Sequence, residues 1–130
     1  MTTYADPELL ISTWLHTRGH LVRADPHLRS DSWTRAPITH IQRTPGYGGL
    51  ALTLDDPLLD FDTYAGQAAT ARDESNALWA VMTLELPKTT LPGGIFVMKV
   101  DATPPCWAPA TNGAYRRTAA YRVILHGLIS

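Results

Sequence analysis

The feature that most constrains the fold is the junction at residues 59–86, where a two-residue hydrophobic period changes directly into a helical one. Leu59, Phe61 and Thr63 alternate with polar residues, which predicts a strand at 59–64 with one buried face. The next stretch, 66–86, predicts a long helix. Its apolar face is formed by residues spaced three and four apart: Ala68, Ala71, Ser75, Leu78 and Met82. We therefore expect a strand followed by a helix that packs on a sheet.

The rest of the chain predicts one more helix and further strands. Asp6 is a good N-cap, Pro7 suits the first helical position and Gly19 suits the end of the helix. The expected elements are a helix at 6–18, strands at 20–24, 37–43, 50–54, 59–64, 95–103 and 114–128, and connections at 25–36, 44–49, 87–94 and 104–113. The last two strands are expected to pair. The predicted fold class is α+β, with residues 1–130 as one domain in which two main helices pack against a mixed β-sheet.

Composition limits the classes of function. The net charge of −1 lacks the basic surplus that usually accompanies tight nucleic-acid binding. Cys106 is the only cysteine, so no internal disulfide is expected. No apolar run approaches the roughly 20 residues that span a bilayer, and the first residues do not resemble a signal peptide, which predicts folding in a cytoplasm. Charged residues are 18% of the chain, and it has four tryptophans; this suits a subunit interface or an ordinary apolar core.

Local motifs for catalysis are incomplete. Asp60 and Asp62 share one face of a strand, about 6.5–7 Å apart, and two such carboxylates can bind Mg²⁺ or Mn²⁺. The glycines at 46–49 are not followed by the Lys-Ser/Thr of a phosphate-binding loop, so a solvated strand face is the simpler interpretation. His16 and His20 have helical ligand spacing, but Gly19 separates them and no Glu completes a zinc motif. We expect no catalytic residues, no metal and no cofactor.

A larger pattern combines several stretches of the chain. A helix begins after Asp6-Pro7, and LDFDTYA (59–65) leads into the alanine-rich QAATARD (67–73). The chain closes with PCWAP (105–109), a short loop and RRTAAYRV (116–123). This pattern, in element order over most of the chain, resembles the tail terminator proteins of long-tailed (siphovirus-type) bacteriophages, especially those that infect actinobacteria.

The resemblance implies a structural protein and not an enzyme. Such proteins form a six-membered ring on the head-proximal end of the tail tube, stop its polymerisation and join it to the head connector, and DNA passes through the lumen at ejection. The implied location is the tail or neck of the virion, after assembly in the host cytoplasm. The implied partners are further copies of the chain, the tail tube protein and the head–tail connector or stopper protein, with genomic DNA passing through without specific binding.

Four residues are the candidate contacts for such assembly. They are Trp33 and Trp107, in the two long connections, and the basic pair Arg116 and Arg117. Tryptophan and arginine are common hot spots of interfaces. The alternative is that the tryptophans pin their own loops to the core and the arginines form surface ion pairs. Two other functions stay open: another connector or stopper protein of the neck, or a small metal-dependent nucleotide or nucleic-acid enzyme built on Asp60 and Asp62.

Overall fold

The computed structural model describes residues 6–24, 37–44, 54–111 and 113–126, and these form an α+β fold. Its elements are α1 (Pro7–Thr17), β1 (Val22–Arg23), β2 (Ile38–Arg43), β3 (Leu54–Asp55), β4 (Leu58–Ala65), α2 (Ala68–Ala80), a π-helical extension of α2 (Val81–Glu85), β5 (Thr90–Leu91), β6 (Ile95–Ala102), β7 (Cys106–Thr111) and β8 (Ala114–His126). In this part of the chain, eight strands form one mixed sheet. The predicted class, a mixed sheet with two helices packed on it, is confirmed.

The sheet is organised around β8. The strand order is β1-β2-β4-β8-β6-β5, with β3 and β7 also paired to β8. Only the β1–β2 pair is parallel among the described strands. Strands β4 and β6 both pair with Tyr121 and Arg122, so they occupy opposite edges of β8. Because β7 pairs with the part of β8 that β4 also borders, β7 and β6 follow one another along the same edge.

One core lies between the helices and one face of the sheet. Strand β4 alternates as predicted, with Leu59, Phe61 and Thr63 buried. The predicted stripe of α2 faces these residues, and Leu78 and Met82 are buried, as expected. Burial of apolar side chains from both layers provides the main stabilising free energy. The core joins both helices to six strands through Ile11, Trp14, Leu15, Val22, Ile41, Leu59, Phe61, Leu78, Met82, Leu91, Val97, Ala119, Tyr121, Val123 and Leu125, among others.

Helix α1 closes the open side of a curled sheet. Its start is fixed by Asp6, whose Oδ1 accepts hydrogen bonds from the backbone N–H of Glu8 (3.0 Å) and Leu9 (3.2 Å). Gly19 follows its end with a φ of 85°, as predicted. The helix contacts β1 and β2 and also β5, although these strands lie at opposite ends of the strand order. The sheet therefore curves around the core, and α1 bridges its two ends.

Several expectations from the sequence need correction. The connection predicted at 104–113 is wrong, because Cys106–Thr111 is a strand that pairs with β8. The connection predicted at 87–94 contains β5. The strand predicted at 20–24 is limited to Val22–Arg23. The helix predicted at 66–86 has about the right extent, but its last turn is π-helical. The segments predicted at 25–36, 45–53 and 127–128 lie outside the described residues.

No helix in the described part of the chain is long and apolar enough to cross a membrane.

Candidate functional site

The structure separates the four candidate contact residues. Trp33 lies outside the described residues. Trp107 on β7 and Arg117 on β8 are directly opposite each other and lie on the face that carries α2. Arg116 points to the other face, where it binds Asp62. The basic pair therefore divides between two surfaces, because successive residues of a strand point to opposite sides of a sheet.

A hairpin between β7 and β8 creates the surface around Trp107. Thr111 pairs with Ala114 across the two-residue segment Asn112-Gly113, and Gly113 has a φ of 80°. Gly113 suits such a hairpin turn, because the turn needs positive φ and glycine adopts it without strain. Strand β7 pairs with no other strand than β8 among the described residues. Pro109 is accommodated there because an edge strand tolerates a missing backbone N–H.

Two arginines and a tyrosine surround the Trp107 ring. The guanidinium carbon of Arg117 lies 4.8 Å from the ring centroid, and that of Arg72, on α2, lies 5.5 Å from it. The Tyr115 ring meets the indole edge-on, with centroids 6.3 Å apart. Both arginine contacts have cation–π geometry. Trp107 nevertheless keeps 42% of its surface exposed and Tyr115 keeps 47%. We call these four residues, Trp107, Tyr115, Arg72 and Arg117, the Trp107 cluster.

The cluster carries positive charge that no described carboxylate balances. Arg117 is only 9% exposed. Its Nε donates to Ser75 Oγ (3.1 Å) and its Nη2 to Asn76 Oδ1 (3.4 Å), both neutral groups on α2. Within the described ranges, neither Arg117 nor Arg72 has a carboxylate oxygen within ion-pair distance. A buried guanidinium without a counter-ion is costly, so the cluster favours an acidic group brought by another molecule.

On the opposite face of the sheet, Arg116 and Arg122 are each paired with an aspartate. Arg116 donates from Nε (3.2 Å) and Nη2 (3.0 Å) to Asp62 Oδ1. Arg122 Nε donates to Asp56 Oδ1 at 2.8 Å. The pKa of Tyr64, which is paired with Arg116 in the β4–β8 register, is raised by burial and then by the charge of Asp62, while Arg116 acts in the opposite direction. Arg116 thus has the ion-pair role that was its alternative interpretation.

The possible metal ligands of the sequence are held by other partners. Asp62 is bound by Arg116, and Asp60 accepts a hydrogen bond from the Thr44 hydroxyl at 2.9 Å. His16 and His20 diverge: His16 Nε2 lies 2.7 Å from the carbonyl oxygen of Val22, and His20 Nδ1 lies 3.0 Å from a carboxylate oxygen of Glu74. No group of three or more His, Cys, Asp or Glu within the described ranges is arranged to hold a metal ion. This geometry gives no specific support to the metal-dependent enzyme alternative.

Sequence reasoning missed Arg72 and Tyr115. Tyr115 could have been found, because it shares the strand face of Arg117, and Asn112-Gly113 indicates the hairpin that brings Trp107 opposite that face. Arg72 gives no such signal, since its approach to Trp107 depends on how α2 crosses the sheet.

No protein-family model matches the chain, and no curated protein matches it. Function is therefore inferred from the sequence pattern and from the chemistry of the two sheet faces.

Proposed function

We propose that the chain is a structural protein of a bacteriophage tail, a tail terminator that forms a homo-hexameric ring on the head-proximal end of the tail tube. In this role it stops tube polymerisation and joins the tail to the head connector, and it catalyses no reaction. The genomic DNA passes through the lumen without specific binding, and the protein's place is the tail or neck of the virion.

The observation that carries the proposal is that two of the sequence segments on which the resemblance rests lie side by side and form one exposed site. Residues 105–109 and 116–123 are neighbours in the β7–β8 hairpin, and they meet where Trp107 lies opposite Arg117. A tryptophan exposed by 42% beside arginines is typical of an interface hot spot. A ring also needs two different patches on each subunit, because its contacts are head-to-tail.

The matched charges of the opposite sheet face support the DNA part of the proposal. Strong phosphate binding requires free cations along a surface. Arg116 and Arg122 are each neutralised by an aspartate. These two arginines therefore offer little net positive charge for a phosphate backbone to bind.

The test adds the purified chain to growing tubes of the tail tube protein from the same phage and images them by electron microscopy. Wild-type protein should shorten the tubes and leave a ring on one end. Trp107→Ala should fail to cap, while its subunit stays folded. The contact with exposed Arg72 contributes about 0.5–1 kcal/mol and the contact with buried Arg117 about 2 kcal/mol, less than the roughly 5–15 kcal/mol of a typical domain. Leu84→Ala is the matched control: it removes an apolar side chain that is 78% exposed on the extension of α2, and it should cap normally.

The outcomes separate the alternatives. Unchanged tube lengths and bare tube ends with wild-type protein would refute the terminator proposal. Binding to the isolated head connector without binding to tubes would identify a connector or stopper protein of the neck. A large fall in the melting temperature of Trp107→Ala would mean that the indole supports its own subunit's core.

A further inference from the structure

We propose that the Trp107 cluster of one subunit binds the acidic first turn of α1, Glu8 with Leu9, of a second copy of the chain. The inference rests on the proposed ring and specifies one of its contacts. In this contact the Trp107 cluster is the positively charged patch of one subunit, and the first turn of α1 is the negatively charged patch of the next.

The first argument is the unbalanced charge of the cluster. Arg72 is exposed, and Arg117 is buried with only neutral hydrogen-bond partners and the indole ring. Both guanidinium groups approach the same ring, so a carboxylate that pairs with the exposed Arg72 also lies in the positive field of Arg117. Arginine forms its strongest contacts with carboxylates, through charge-assisted hydrogen bonds.

The second argument is the supply of carboxylates among the side chains that the structure describes. The following acidic groups already have partners within the subunit: Asp56 with Arg122, Asp60 with Thr44, Asp62 with Arg116, Glu74 with His20, Glu85 with Arg18, and Asp101 with Lys99. Asp6 caps α1. Asp73 follows Arg72 on α2 and has no ion pair in the described part of the chain, but it already belongs to the element that carries the cluster. Glu8 has no ion pair there either.

The third argument is the apolar side chain next to Glu8. Leu9 is 58% exposed and follows Glu8 directly in the first turn of a helix whose other face is buried. An interface core needs apolar area as well as charge. Glu8 and Leu9 together offer a carboxylate for the arginines and an aliphatic surface for the exposed parts of Trp107 and Tyr115.

The two patches suit a head-to-tail contact. Helix α1 packs on β1, β2 and β5, whereas the cluster is carried by β7, β8 and α2. A contact between different patches leaves a pair of subunits with one free patch of each kind, and repetition of the contact builds a ring if the rotation closes. A nucleic-acid strand is a poorer occupant, because only one of the two arginines in the cluster, Arg72, is exposed, and sequence-independent binding needs a basic groove that tracks the backbone.

The experiment measures self-association of the full chain by sedimentation equilibrium, at low and moderate salt. The variants are Arg72→Glu, Glu8→Arg and the double charge reversal. Each single change should weaken association by at least about tenfold, as expected for a close charge pair at an interface, and the double change should restore most of the loss. Wild-type association should also weaken with added salt.

Two controls make the result specific. Lys99→Glu makes the same change in net charge at a side chain that is 64% exposed on β6, and it should leave association unchanged. Thermal unfolding checks that every variant is folded. Arg72→Glu changes an exposed side chain of α2 to another residue of high helix propensity. If Glu8→Arg unfolds the chain, Glu8→Gln removes the charge with nearly the same shape.

Several results would overturn the inference. These are a wild-type chain that stays monomeric at every accessible concentration, an effect of Arg72→Glu no larger than that of Lys99→Glu, or a double variant that associates as weakly as the single ones. Loss of binding to a fluorescent single-stranded oligonucleotide in Arg72→Glu, with self-association intact, would identify a nucleic-acid surface instead. Rings that form equally well in the charge variants would refute this contact and leave the terminator proposal standing. Rings that depend on these charges but never cap tubes would refute the terminator proposal and leave this contact standing.

Discussion

Leu78→Ala tests whether the α2 face is a true core of the isolated subunit. Leu78 is 1% exposed and packs in the cluster that joins both helices to the sheet. The substitution removes three buried carbon atoms, which at roughly 0.8 kcal/mol each is about 2.4 kcal/mol of lost transfer free energy. The cavity that remains raises the expected loss toward 5 kcal/mol, the upper end for leucine truncations. For a domain of this size the melting temperature should fall by roughly 10 °C or more.

The assay is urea denaturation followed by far-ultraviolet circular dichroism, with thermal unfolding as a second measure. The midpoint should fall while the dependence on urea stays the same, since the surface exposed on unfolding hardly changes. Leu84→Ala is the matched control, because the same atoms are removed from a side chain that is 78% exposed on the same continuous helix. Its cost should be below about 0.5 kcal/mol. Equal effects of the two substitutions, or a loss of only a few tenths of a kcal/mol at Leu78, would refute the assigned core.

Two further predictions concern pH and metal. Burial raises the pKa of the Tyr121 phenol above its ordinary value of 10.0, so the folded state favours the neutral form. Its contribution to stability is intact below pH 10 and is lost as pH rises further, by up to about 1.4 kcal/mol per pH unit. The free energy of unfolding, measured above pH 10, should therefore decline less steeply with pH in Tyr121→Phe than in the wild type. An equal decline in both proteins would mean that other groups cause it. Since Arg116 and Thr44 hold Asp62 and Asp60, the melting temperature should be the same with EDTA as with added Mg²⁺ or Mn²⁺. A rise of several degrees with metal would revive the enzyme alternative.

The elements that the sequence predicts well are those whose burial pattern is local. Strand β4 alternates strictly between buried and half-buried residues, and the α2 stripe repeats at helical spacing. Both periods, two residues in a strand and 3.6 in a helix, follow from backbone geometry when one side of the element is buried. The cap at Asp6 and the end of α1 at Gly19 are equally local, so both were predictable.

Strand β7 was hidden because its local signals conflict. The prolines at 104, 105 and 109 indicate an irregular connection, although Asn112-Gly113 indicates a hairpin. The pairing with β8 outweighs the prolines, because Pro109 lies on a strand that has only one partner strand among the described residues. The Trp107 cluster depends on this pairing and on the crossing of α2 over β8, and neither leaves a periodic pattern in the sequence.

The bridging position of α1 has a consequence for synthesis of the chain. This helix is synthesised before the strands that it joins, and these strands are encoded far apart, at Val22–Arg23, Ile38–Arg43 and Thr90–Leu91. The surface on which its apolar face packs, through Ile11, Trp14 and Leu15, is therefore complete only after Thr90–Leu91 has been synthesised. During that interval the nascent protein carries an exposed hydrophobic helix, which is the kind of surface that chaperones shield and that aggregates when left unshielded.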